Sequence, residues 1–168
     1  HFTLLSQNVD DLHQRAGNTD VVSLHGNLLR ARCSRGCDVH QLIGDLPGEV
    51  APHCPRCDAH MRPDVVWFGE SLAPETLARA RAATFACDVF LSVGTSNVVE
   101  PAASLPWLAA AHGATVIVVN TTSAGQRKGP SILHLRGGAG ATLSRLVSAA
   151  FAGRKPRRVE EDRLENDD

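Results

Sequence analysis

The chain has 168 residues, 43% of them hydrophobic, and a formal net charge of −1. That suits one domain, or one domain with a small insert, around a real core. The charge balance gives no electrostatic case for nucleic acid or an anionic membrane surface as a partner, and no run approaches the roughly 18 apolar residues of a membrane span.

The opening HFTLLSQN lacks the basic and long apolar regions of a signal peptide, so a soluble, cytoplasmic protein is expected. The chain enters strand-like text at once and without Met, which leads us to expect coding sequence upstream. Residues 2–6 (FTLLS) read as a short buried strand, and DDLHQRAG (10–17) as a helix of about two turns closed by Gly17. VVSL (21–24) is a second strand. From residue 30 to about 63 the text turns rich in Cys, His, Pro, Gly and Arg with little periodicity, the composition of a small loop-rich module held by metal. Apolar order returns at DVVWFGE (64–70). Pro74 suits the first turn of a helix whose Leu77, Ala80 and Phe85 recur at helical spacing. DVFLSVG (88–94) and TVIVVN (115–120) are buried strands, and SILHLRG (131–137) is a weaker one. PAASLPWLAAAHG (101–113) reads as a helix, with Pro106 kinking it or lying near its start. GATLSRLVSAAFAG (140–153) is an amphipathic helix. The tail, 154–168, holds five basic and six acidic residues and reads as a solvated end. Alternating strands and helices, with unalternated β-branched strands, indicate an α/β fold: a parallel sheet covered by helices on both faces.

Four of the five cysteines fall into two close pairs, Cys33/Cys37 and Cys54/Cys57, with sixteen residues between the pairs. Paired thiols at that spacing form a tetrahedral zinc site, and four sulfurs leave no open position for a catalytic water. The site is expected to be structural. His40, His53 and His60 are available as competing ligands. An odd cysteine count argues against a disulfide framework.

Ligands of an open parallel sheet bind beyond the carboxyl ends of its strands. Three strand ends here, SQNVD (6–10), VGTSN (93–97) and VNTTS (119–123), carry small hydroxyl, amide or glycine residues. Together they point to a nucleotide-sized ligand. His25, ahead of Gly26, ends a short apolar run; taken alone, such a histidine is more often a packed core residue than a base.

SQNVDDLHQRAG, LHGNLLRARC, the paired cysteines, RPDVVWFGE, VGTSNVVEPAA and VNTT stand in the order found in sirtuins, the NAD-dependent protein lysine deacylases of the Sir2 family. The chain resembles that family from about Phe2 to Leu146, with wording closest to the bacterial and sirtuin-5-like branch. The resemblance implies a Rossmann-like NAD-binding domain over 1–29 and 64–153, its amino-terminal part missing, with a zinc-binding module over 30–63 inserted. It implies that His25 is the catalytic base. In sirtuins the acyl-lysine oxygen attacks the ribose carbon that carries nicotinamide, and the base then activates a ribose hydroxyl, a task suited to a side chain with an unperturbed pKa of about 6.5. Gly26 would leave room for the ribose. Gln7, Asn8, Val9 and Asp10 would surround the nicotinamide ribose and carboxamide. Gly94, Thr95 and Ser96 would lie by the phosphates and ribose, Asn120, Thr121 and Thr122 by the adenosine ribose, and Ala139, in a late loop, by the adenine. Val66, Phe68, Gly69 and Glu70, with Val98, Val99, Glu100 and Pro101, match two segments between which an acyl-lysine peptide adds as a strand. Cys33, Cys37, Cys54 and Cys57 match the structural zinc ligands. Nicotinamide, O-acyl-ADP-ribose and free lysine would be the products.

The chain departs from the family pattern in several places. The family's Gly-Ala-Gly phosphate loop and first strand are not in it, so the 168 residues alone are expected to bind NAD weakly. Asp11 stands where glycine is usual, Glu100 where an aromatic is frequent, and the first cysteine pair is spaced by three residues where two are commoner. Mono-ADP-ribosyl transfer, or an inactive zinc-stabilised interaction module, are the rival readings.

Overall fold

The computed structural model describes residues 1–45, 51–122 and 129–152, so the charged tail at 154–168 lies outside the described residues. Strands β1 (Leu4–Ser6) and β2 (Val21–Ser23) pair in parallel, Leu5 beside Val22, with the single-turn helix α1 (Leu12–Arg15) between them. Asp20 fastens their entrance: its backbone carbonyl accepts from Leu4 N, and its carboxylate accepts from Thr3 Oγ1 and from the Arg79 guanidinium.

The loop-rich stretch after residue 30 is framed by a three-stranded sheet. Strand β3 (Gly26–Cys33) lies between β4 (His40–Leu42) and β5 (Met61–Val65), antiparallel to both. Ala31 and Cys33 are buried while Arg30 and Arg32 point away, the two-residue alternation of a half-buried strand. The inward residues are an alanine and a cysteine, so the pattern carries little hydrophobic signal in the text. The register shifts between Asn27 and Ala31, bulging Leu28 to Arg30 out of the ladder. Only the end of β5 reaches the apolar stretch expected at 64–70; the remainder is a turn.

Helix α2 (Pro74–Ala86) begins on its proline and ends where Cys87 turns extended. Ala80 and Thr84 are its buried residues, and the Thr84 hydroxyl donates to the Ala80 carbonyl. Phe85 is instead 46% exposed and tilts against His112, because five residues on from Ala80 is about 140° round the helix. The stretch expected as one helix over 101–113 divides. A 3₁₀ turn over Ala102–Ser104 precedes α3 (Leu105–Ala111), in whose first turn Pro106 sits.

Strands β6 (Val89–Val93), β7 (Thr115–Asn120) and β8 (Ile132–Arg136) form a parallel sheet in chain order, followed by α4 (Ala139–Ala150). Val116 and Val118 pack against Ala109 of α3, with Phe90 and Ile132 beside them. A second cluster joins Val22 and Leu24 to Ala80 of α2 and Leu105 of α3, holding the β1–β2 pair against the helices. The other face of β6–β8 is more open than expected: Leu91 and Leu133, flanking Ile117 in register, remain 40% and 53% exposed. No helix among the described residues is long and apolar enough to cross a membrane.

Candidate active site and metal centre

The carboxyl ends of β1, β6 and β7 meet at Thr95. Its hydroxyl accepts from the Gln7 side-chain amide (3.1 Å) and from Asn97 N (3.2 Å), and its carbonyl accepts from the Asn120 side-chain amide (2.8 Å). Three strand ends that are far apart in the sequence thus close one polar corner, the place where an open parallel sheet takes a ligand. Gly94 enters it with φ +64° and its N–H on the Val119 carbonyl. Ser96, Thr121 and Thr122 are exposed around it. Ala139 is the first residue of α4, behind Gly138, which offers no side-chain cap. The Asn120 carbonyl accepts from Gly137 N, which ties that helix start to the end of β7.

His25 follows β2 and joins the same corner. Its Nδ1 lies 2.9 Å from the Gln7 carbonyl oxygen. A carbonyl only accepts, so Nδ1 carries a hydrogen, and in the neutral ring Nε2 is the acceptor. The His25 backbone carbonyl accepts from Val66 N at 3.0 Å, and Val9 O accepts from Leu28 N at 2.7 Å. Asn8 N donates to Ser6 Oγ, and Asp10 Oδ1 accepts from Leu12 N at the start of α1. Asp10 therefore already has a local structural task.

Gly26 is demanded by something other than ligand space. Its φ is +84°, and a Cβ there would lie 2.0 Å from the Asp64 backbone oxygen. The Gly26→Ala variant is expected to lose about 3 kcal/mol of stability through a clash at a positive φ. A chemical-denaturation midpoint equal to that of the parent would contradict this.

The two segments expected to receive peptide are open. Phe68 is 99% exposed, Val98 75% and Val99 38%. Among the described residues, Phe68 and Gly69 make no backbone hydrogen bond. Pro101 leads into the 3₁₀ turn, and Glu100 accepts from the Ser104 hydroxyl at 2.7 Å. The Glu70 carboxylate, on an exposed residue, accepts from Arg62 (2.5 Å), Arg32 (3.1 Å) and Trp67 N (3.0 Å). Arg32, Arg62 and Asp64 were not singled out as site residues, although they stand within the runs LHGNLLRARC and RPDVVWFGE.

The four paired cysteines come together. All four Sγ atoms lie within 4.8 Å of one another. Cys33 is delivered by the end of β3 and Cys54 by a tight turn closed by Asp58 N on the Cys54 carbonyl. Burial pushes the Cys33 thiol up, but hydrogen bonds from Arg35 and Cys37 N–H groups and from the Cys57 and Cys54 thiols outweigh it, bringing the value to about 6. Cys37 goes the other way, to about 12, because it shares protons with Cys57 and Cys33. Crowded sulfurs of this kind are compatible as thiolates only around a cation, and the donor set fits zinc. The competing histidines are engaged elsewhere: His40 Nδ1 with Asp64, His53 Nδ1 with Asp58, and the His60 ring against that of His53.

A sequence profile of the Sir2 family matches residues 1–101. The chain belongs to the Sir2 family. Among Sir2 relatives, an NAD-dependent protein deacylase of Pseudomonas aeruginosa is 45% identical over 159 residues, covering 89% of this chain and 62% of the deacylase. A Sir2 homologue mutant in complex with ADP-ribose superposes with a TM-score of 0.80 at 39% identity, covering 92% of this chain and 63% of that one. A further Sir2 structure, bound to a myristoylated histone peptide, has a TM-score of 0.72 at 35% identity over 89% of this chain and 65% of that one. The chain thus has the Rossmann-like Sir2 α/β fold and spans just under two thirds of these relatives' length.

Proposed function

We propose that this chain carries the catalytic and peptide-facing part of an NAD-dependent protein lysine deacylase of the cytoplasm. The observation that supports it most is the convergence of Gln7, Thr95 and Asn120 at one sheet end, with His25 fixed to the Gln7 carbonyl. In this reading residues 1–29 and 64–153 form the nucleotide-binding part and 30–63 the zinc module. Five free thiols suit a reducing compartment.

Gln7, Asn8, Val9 and Asp10 would line the nicotinamide end of the cofactor. Gly94, Thr95 and Ser96 would line its centre, and Asn120, Thr121, Thr122 and Ala139 its adenosine end. When bound, NAD supplies a ribose carbon from which nicotinamide departs as the acyl oxygen attacks. His25 is the base. Its Nδ1–H is held by a backbone carbonyl, which orients the ring so that in the neutral tautomer Nε2 is the atom that takes a hydroxyl proton. Val66, Phe68, Gly69 and Glu70 on one side, and Val98, Val99, Glu100 and Pro101 on the other, would clasp an extended acyl-lysine peptide through backbone bonds. Cys33, Cys37, Cys54 and Cys57 would hold one zinc with no vacant position, as a structural ion.

Mass spectrometry of an acetyl-lysine peptide incubated with NAD and the protein, its flanking coding sequence included, tests this reading. Loss of the acetyl mass is expected. A peptide gaining ADP-ribose would instead identify a transferase, and an unchanged peptide and NAD pool would identify a binding module.

A further inference from the structure

The turn from Trp67 to Glu70 is held from behind. Trp67 N and Glu70 N close it locally, the first on the Glu70 carboxylate and the second on the Trp67 carbonyl. Every other bond that fixes Glu70's side chain comes from the cysteine module. Arg62 donates to one carboxylate oxygen at 2.5 Å and Arg32 to the other at 3.1 Å. Arg62 also donates to the Val65 carbonyl (3.3 Å) and stacks its guanidinium 4.1 Å over the Trp67 ring. Its side chain is only 15% exposed, so this pair is less screened than an ordinary surface ion pair. The Arg62 hydrogen bond, and then Trp67 N–H, hold the Glu70 carboxyl below the usual range, so it stays ionised. In the chain, Arg32 precedes Cys33 and Arg62 follows Met61, and both neighbours belong to the cysteine core.

We propose that Arg62, assisted by Arg32, is a positioning residue for the acyl-lysine peptide. Through Glu70 and Trp67 it fixes the Trp67–Glu70 turn to the metal-binding module. The forked, planar guanidinium suits this task, because it bonds a carboxylate and covers an aromatic face at once. The turn's outer residues, Phe68 and Gly69, can then offer their backbone to a peptide without first being ordered, which lowers the entropic cost of binding. The proposal rests on the reading above that this segment receives peptide.

The experiment uses the protein with Trp107→Phe, which leaves Trp67 as the sole tryptophan of these 168 residues, any tryptophan in flanking coding sequence being likewise replaced by Phe, and compares Arg62→Met, Arg62→Lys and Glu70→Gln. Metal content, iodide quenching of Trp67, and affinities for an acetyl-lysine peptide and for ADP-ribose are measured on each. Arg62→Met and Glu70→Gln are expected to raise quenching and to weaken peptide binding about tenfold, the scale of one charge-assisted contact. ADP-ribose affinity and metal content should hold, and Arg62→Lys should fall between. If Arg62→Met lost metal, Glu70→Gln, which lies outside the module, would decide the question. Unchanged quenching and peptide affinity in Glu70→Gln and Arg62→Met would overturn the proposal. If the parent protein bound no peptide, the peptide reading itself would fail, and Trp67 quenching would still decide whether Arg62 positions the turn.

Discussion

Stripping the metal with a strong chelator is expected to unfold the antiparallel module and leave the β6–β8 sheet standing. The module has little else to hold it. Its buried core is Ala31, Cys33, Cys54 and Met61, and half of those side chains are ligands. One methionine and one alanine bury too little apolar surface to offset the ordering of three strands and their turns. Structural zinc in small modules is worth roughly 10–16 kcal/mol of apparent binding energy at neutral pH, so its removal decides whether the module folds. The sheet has its own core in Val116, Val118 and Ala109, at most 1% exposed and separate from the four paired cysteines. One metal ion per chain is expected in freshly purified protein. After chelation, limited proteolysis should cut first within residues 30–63. Protein that is metal-free as purified, with four readily titrating thiols and an uncut module, would contradict this.

Replacing His25 by alanine is expected to lower peptide deacylation by about a thousandfold, within the range for a lost general base, and to change stability little. The side chain is half-buried, and its ring bonds a backbone carbonyl, that of Gln7. The backbone link from Val66 N to the His25 carbonyl does not depend on the imidazole and should survive. Part of the nicotinamide release should survive too, because the acyl oxygen attacks before the base is needed. Turnover of acyl peptide by His25→Ala at the parental rate would remove His25 from the mechanism.

Periodicity and spacing made much of this architecture legible. β7 announces itself as a β-branched run and β6 as a mostly apolar one, and the four cysteines as two close pairs. The polar text after β1, β6 and β7 marks a ligand corner, where Gln7 and Asn120 both reach Thr95 although β1 pairs only with β2. What stayed hidden had physical reasons. β3 looks like loop because its inward positions are Ala31 and Cys33, which carry almost no hydropathy contrast. Gly26 reads as space for a ligand, but its neighbour in space, the Asp64 carbonyl, is 38 residues away along the chain. Phe85 is read at helical spacing with Leu77 and Ala80, yet five residues on from Ala80 it turns outward and Thr84 is the buried residue. The Arg32–Glu70–Arg62 bridge is invisible in the text, since it depends on β3 and β5 pairing and on a turn that folds back on them.

The central claim, that NAD cleavage here is coupled to removal of an acyl group from lysine, is tested most directly by counting both products in one reaction. The protein, expressed with all of its flanking coding sequence, is given NAD with and without an acetyl-lysine peptide, and nicotinamide and free-lysine peptide are quantified together. The account predicts nicotinamide release that depends on the acylated peptide, with one deacylated peptide formed per nicotinamide. Nicotinamide released equally well without peptide, or with the peptide still acylated, would contradict it.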